Sequence, residues 1–202
     1  MLMGNTVGSR PRDGIDPVTT EPKGKIRKMR IIRWRLFKKY VTEFTERRKM
    51  DFNSFISGFV EGEGCFCISF SKRAKLKTRI EVRPSFSISQ NKRNLELLKK
   101  IHESFKCGSI RFSKSDQNYK YEVRSIKDLM KTIIPHFREH PLLGTKSNDF
   151  EKFAFICEKV YQNQHKNLDT LRKIIEVSYE INLGKRKYKK EELLKHMTSK
   201  KI

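Results

Sequence analysis

Hydrophobic positions along the chain switch twice between helical spacing and strict alternation. Phe52, Phe55, Ile56, Phe59 and Val60 recur at three- and four-residue intervals, and Asp51 or Asn53 supplies a helix cap before them. This predicts a helix that stops at Gly62–Gly64. Phe66, Ile68 and Phe70 then alternate with Cys65, Cys67, Ser69 and Ser71, the period of a half-buried strand. After a basic turn around Lys72–Thr78, Ile80, Val82, Phe86 and Ile88 face one way and Glu81, Arg83, Ser85 and Ser87 the other, which completes a hairpin. Asn91 opens a helix carrying Leu95, Leu98 and Ile101 that ends near Lys106–Gly108.

The pattern repeats. Ile110 and Phe112 alternate with Arg111 and Ser113, Ser115–Asn118 form a polar turn, and Tyr121 and Val123 alternate with Lys120, Glu122 and Arg124. Ser125 opens a helix over Leu129 to Phe137, another runs from about Asn148 through Val160, and a last one covers Leu168–Ile181. The order α-β-β-α-β-β-α predicts an α+β fold: a four-stranded antiparallel sheet with helices on one face, because each strand has one apolar side to bury. The other face is polar and basic. Residues 1–50 are expected to be a basic, partly disordered extension, with an amphipathic helical pattern from Lys25 to Lys49. Residues 51–164 are expected to form the compact domain and residues 165–202 a basic helical tail.

Charge narrows the function. Lys plus Arg number 46 against 23 Asp plus Glu, a formal +23 over 202 residues. Such an excess calls for a polyanion, and nucleic acid fits because each neutralised phosphate releases counterions. A membrane partner is not expected: no stretch approaches the ~20 apolar residues of a spanning helix, and the first residues do not read as a secretory signal. Cys65, Cys67, Cys107 and Cys157 lack zinc-site spacing and are expected to be free, mostly buried thiols. The five histidines show no metal-ligand spacing either, and are expected at the surface or at helix ends.

Chemistry concentrates in the first helix. Gly58 and Gly62 lie four apart and share a face, so two backbones could approach closely there; each glycine costs a helix about 1 kcal/mol relative to alanine unless packing compensates. Glu61 and Glu63 stand at the helix C-terminus, where the exposed carbonyls disfavour carboxylates. Either a cation relieves that conflict or both glutamates are simply solvated at a helix end.

Ile56-Ser57-Gly58-Phe59-Val60-Glu61-Gly62-Glu63-Gly64 resembles the LAGLIDADG motif of homing endonucleases, with Gly58, both acidic positions and Gly64 in place; Glu replaces Asp at both acidic positions. The resemblance covers roughly Phe52 to Tyr161. It implies a metal-dependent, site-specific double-strand DNA endonuclease. Glu63, with Gly62 beside it, would hold Mg²⁺ or Mn²⁺, and Gln90 and Lys146 would order water and offset charge around the scissile phosphate. One motif copy implies a homodimer joined through Phe55, Gly58, Phe59 and Gly62, and hence a near-palindromic duplex target.

The basic concave sheet face would then lie in the major groove, with Ser69, Ser71, Arg73, Glu81, Arg83, Ser85, Ser87, Arg111, Ser113, Lys120, Glu122 and Arg124 toward DNA. The family also contains maturases, so binding of intron RNA without DNA cleavage is the alternative. Its frequency in organelle introns implies a mitochondrial or chloroplast location.

Overall fold

In a computed structural model of the chain, residues 51–182, 184 and 186–198 are described. The basic extension and the amphipathic pattern of Lys25–Lys49 lie outside them. The elements are α1 (Phe52–Glu63), β1 (Gly64–Lys72), β2 (Ile80–Asn91), α2 (Leu95–Phe105), β3 (Ser109–Ser113), β4 (Asn118–Val123), α3 (Ile126–Asp128), α4 (Ile134–Glu139), α5 (Lys146–Tyr161), α6 (Leu168–Ser178) and α7 (Lys190–Thr198).

The sheet is antiparallel throughout, in the order β1-β2-β4-β3. Its apolar face carries Phe66, Ile68, Val82, Phe86, Ile88, Tyr121 and Val123, all buried. Phe66 anchors the core, with ring centroids 5.2–5.5 Å from Phe86, Phe137, Phe150 and Phe153. These aromatic contacts fix how α4 and α5 cover the sheet. The predicted fold class is the observed one.

Asp51 caps α1, its carboxylate accepting from the Asn53 and Ser54 N–H groups at 3.1 Å. The helix ends at Glu63, within the predicted Gly62–Gly64, and passes without a loop into β1. Gly64 makes this turn feasible, because a Cβ there would lie 2.4 Å from Val60 Cγ1 and 2.8 Å from the Val60 carbonyl oxygen. Asn91 opens not α2 itself but a 3₁₀ turn over Lys92–Asn94 that leads into it. Between α3 and α4 the helix widens into a π turn over Leu129–Ile133, immediately ahead of Pro135, which has no N–H to donate. The helix predicted from Asn148 begins at Lys146, and the one predicted to reach Ile181 ends at Ser178.

The C-terminal part is not a tail. Leu171, Ile174, Ile175, Ile181 and Leu193 are 0% exposed and join the single core. Their role follows from the sheet order, since β1 is an edge strand and presents unpaired carbonyls. The Gly64 carbonyl accepts from Lys146 Nζ at 2.7 Å, the Phe66 carbonyl from Asn182 Nδ2, and the Ile68 carbonyl from a guanidinium N–H of Arg186 at 3.2 Å. Lys72, at the end of β1, pairs with Glu192 of α7 and lies over the Tyr188 ring. Three long-range side chains thus close the edge that an additional strand would otherwise use.

The β1–β2 hairpin extends past β4, whose last pairing is Val123 with Phe86. Pro84 sits in this overhang, where β2 has no neighbour on the β4 side, so its missing N–H removes no ladder bond there.

Candidate active site and nucleic-acid interface

Register and alternation put Cys65, Cys67, Ser69 and Ser71 of β1, Glu81, Arg83, Ser85, Ser87 and Ser89 of β2, Lys120 and Glu122 of β4, and Ser109, Arg111 and Ser113 of β3 on the face opposite the core. The predicted polar face therefore exists, and Arg73 and Arg124 extend it just beyond the ends of β1 and β4. One row crosses the sheet as Cys65–Ser87–Glu122–Ser109, and the next as Ser89–Lys120–Arg111, level with Glu63 one step beyond the Gly64–Ile88 pair.

Two members of the predicted reading set are not available to read bases. Ser87 is 3% exposed, hemmed in at the centre of the sheet between Cys65 and Glu122. Glu122 is 7% exposed, and its carboxylate is taken up by Arg111 at 2.8 Å, Arg124 at 2.9 Å and Lys120 at 3.4 Å. It cannot also accept from a cytosine amine. Glu81 forms a more open cluster, pairing with Arg73 at 3.0 Å and Arg83 at 3.3 Å, and Arg83 also donates to the Ser71 hydroxyl. Ser69 Oγ donates to the Arg83 carbonyl at 3.2 Å.

At the head of this face the two helix-end glutamates separate. Glu61 Oε1 accepts from the Gly144 N–H at 2.7 Å, so the loop before α5 neutralises its conflict with the helix end. Glu63 is exposed and has no hydrogen bond or ion pair among the described residues, and α1 carries no basic residue in its last turn. Its carboxylate stays at the negative end of the helix without a direct partner among the described residues.

Lys146 approaches the same point from α5. A cation on the first turn of a helix opposes the macrodipole, yet its ammonium is held 2.7 Å from the Gly64 carbonyl, one residue from Glu63. Gln90 is the second-last residue of β2. Alternation directs it to the helix-covered face rather than the polar one, and its Oε1 accepts from Asn94 Nδ2 at 2.7 Å, which leaves its own N–H groups available. Lys146 thus reaches the α1–β1 junction, while Gln90 lies two residues beyond Ile88, the partner of Gly64, on the helix-covered side of the sheet.

The dimer positions predicted on α1 form an open stripe. A Cβ at Gly58 or Gly62 would meet nothing within 4 Å, and Phe52, Phe55 and Phe59 stack along the helix with centroids 5.7 and 5.8 Å apart. Ile56, Ser57 and Val60 point inward, and Ser57 Oγ donates to the His140 carbonyl at 2.6 Å. Leu143, 93% exposed beside the Glu61–Gly144 contact, is a site neighbour that periodicity could not mark, since it lies in a loop.

The remaining expectations divide. All four cysteines are free, but only Cys157 is buried; the other three are half-buried. His136 lies in the last turn of α4, a helix end as expected, but it is half-buried rather than at the surface: its ring meets Phe105 and Phe137, each 4.9 Å away, and its Nε2 is buried without a partner among the described residues. Among the described residues no cluster of three or more His, Cys, Asp or Glu could hold a metal, and no helix is long and apolar enough to cross a membrane.

These features have counterparts in known proteins. Residues 56–157 match the LAGLIDADG endonuclease family model. A probable intron-encoded endonuclease of Neurospora crassa is 32% identical over 139 residues, which is 68% of this chain and 31% of that protein. The chain spans between 24% and 37% of the length of that protein and two further curated relatives. The crystal structure of the homing endonuclease I-TnaI superposes with a TM-score of 0.64 at 33% identity, covering 72% of this chain and 95% of that one. The LAGLIDADG homing endonuclease I-LtrWI, bound to its target DNA, gives 0.66 at 31% identity over 69% of this chain and 47% of that one. With half its length under the family model, its motif intact at the head of a one-faced sheet, this chain belongs to the LAGLIDADG endonuclease family.

Proposed function

We propose that the chain acts as a homodimer that cuts both strands of a near-palindromic duplex DNA with Mg²⁺ or Mn²⁺, one Glu63 serving each strand. The observation that carries this reading is the setting of Glu63: an exposed carboxylate, unpaired among the described residues, at a helix end that disfavours it and at the head of a basic sheet face.

The donor set suits a hard divalent cation, since the Glu63 carboxylate and the Gly62 carbonyl are oxygen ligands open to solvent. Bound there, such a cation would activate water and offset charge on the pentavalent phosphate and the leaving 3′-oxygen. The second copy and the phosphates would complete its shell. The chain's own groups do the positioning. Lys146, fixed by the Gly64 carbonyl, presents positive charge toward a phosphate oxygen; Gln90, its oxygen held by Asn94, presents amide N–H groups to the attacking water.

Open glycines at 58 and 62 support the dimer. From Ser89 to Glu81 the polar face of β2 runs eight residues, about 26 Å, which corresponds to about eight base pairs per half-site. The intron-encoded relative supports residence in a mitochondrion or chloroplast.

Cleavage selection from a randomised duplex library with Mg²⁺ tests activity, target and symmetry together. Glu63→Gln keeps side-chain size and removes the charge, so it should still bind the selected duplex while cleavage falls about a hundredfold or more. Equal cleavage by both proteins rules the assignment out.

A further inference from the structure

We propose that Glu122 is a positioning residue that fixes Arg111, Lys120 and Arg124 as one preformed reading unit, and so sets sequence discrimination at the base pairs nearest the scissile phosphate. The inference rests on the DNA-binding reading above.

A carboxylate that is 7% exposed has given up most of its hydration, and among the described residues the replacement comes from three cations on the polar face. Those cations stay accessible: Arg111 is 51% exposed, Arg124 63% and Lys120 32%. The geometry of the contacts leaves hydrogen-bonding capacity to spare. Arg124 uses its Nε toward Glu122, so both of its terminal nitrogens remain, the pair that engages guanine O6 and N7. Arg111 uses one terminal nitrogen and keeps the rest of its fork.

One carboxylate against three cations leaves the unit at +2, attractive to phosphate yet held in a single arrangement before DNA arrives. Freezing long side chains in advance removes an entropic penalty from binding and makes a wrong base harder to accommodate. The Glu81 cluster is not equivalent, because its carboxylate is 36% exposed and water screens it.

Location gives the unit its window. The row of Glu122 lies one polar-face step from the row level with Glu63, about 7 Å or two base pairs along a groove. The structure therefore assigns to this hub the inner base pairs of each half-site, and the Glu81 cluster lies at the outer end.

The test is a binding selection on a pool of random-sequence duplexes without divalent metal, so that cleavage does not enter, comparing wild type with Glu122→Gln. Loss of the carboxylate frees the three cations. Non-specific duplex binding should tighten and its salt dependence steepen by about one ion, while discrimination falls about tenfold at the inner base pairs and is unchanged at the outer ones. A base profile identical to wild type overturns the hub even if the melting temperature drops, since a purely structural role predicts that result. Should Glu122→Gln fail to fold, Arg111→Lys and Arg124→Lys decide: each keeps the charge and the buried carboxylate partnered, and each should relax the same inner window. Profiles unchanged in both lysine variants also overturn it. A wild-type protein that selects no sequence defeats the DNA-recognition reading itself, an outcome distinct from failure of the hub alone.

Discussion

Glu61 and Gly144 are joined by a 2.7 Å hydrogen bond from the loop N–H to the carboxylate, and a Cβ at position 144 would sit 2.8 Å from Glu61 Oε2. The contact divides labour between two acidic residues that the sequence presents as a pair. Glu61 ties α1 to the segment that delivers Lys146; Glu63, two residues on, has no partner among the described residues.

Glu61→Ala should therefore lower stability by about 0.5–1 kcal/mol, the lower part of the range for a hydrogen bond, because the contact is exposed and water can take up the Gly144 N–H. Gly144→Ala should have a smaller effect of the same sign, because the Glu61 side chain can swing aside only by giving up the bond. Chemical denaturation of both variants alongside Glu63→Gln checks this. Glu63→Gln should unfold at the wild-type midpoint or above it, since it removes an unpaired charge from a helix end that disfavours it. Equal stability of Glu61→Ala and wild type would show that the 2.7 Å contact contributes nothing.

His136 supplies a pH dependence. Burial, with a smaller contribution from nearby His140, pushes its pKa from 6.5 down to about 4. In the unfolded chain the imidazole takes its proton near pH 6.5, and in the folded chain it does so only near pH 4. Between these values the unfolded state holds more protons, so stability present above pH 6.5 is lost as the pH falls toward 4. His136→Phe fits a site already flanked by Phe105 and Phe137 and removes the titrating group. Its melting temperature should decline less steeply than wild type from pH 6.5 to 4, and parallel curves would exclude His136 as the source.

The strands were legible because a sheet with one buried face imprints its period on the chain: Phe66, Ile68 and Phe70 against Cys65, Cys67 and Ser69 leave one solution. The same alternation identified the polar face. It could not distinguish a residue that meets DNA from one that holds its neighbours, and so Glu122 and Ser87 read as readers when both are buried. The edge seal was illegible for a related reason. Asn182 and Arg186 bond backbone carbonyls more than a hundred residues away, and such side-chain-to-backbone contacts have no period to detect. Lys146 was found through its motif neighbourhood, whereas its anchor on the Gly64 carbonyl depends on how α5 packs beside β1.

The glycines of α1 give the sharpest test of assembly. Among the described residues nothing needs them small: a Cβ at Gly58 or Gly62 meets no atom within 4 Å, although each glycine costs the helix about 1 kcal/mol. Half-buried Phe55 and Phe59 share that face, and fully exposed Leu143 stands near the helix end. If a second copy packs there, Gly58→Leu should raise helix propensity and leave the fold of each subunit intact, while the bulk separates the two helices. Light scattering should then report half the wild-type mass, and cleavage should be lost although every Glu63 is present. Gly58→Ala should fall between, because one methyl forces the helices apart only slightly. A Gly58→Leu protein that keeps the wild-type mass and cuts normally would mean that the two Glu63 sites are not brought together through this face.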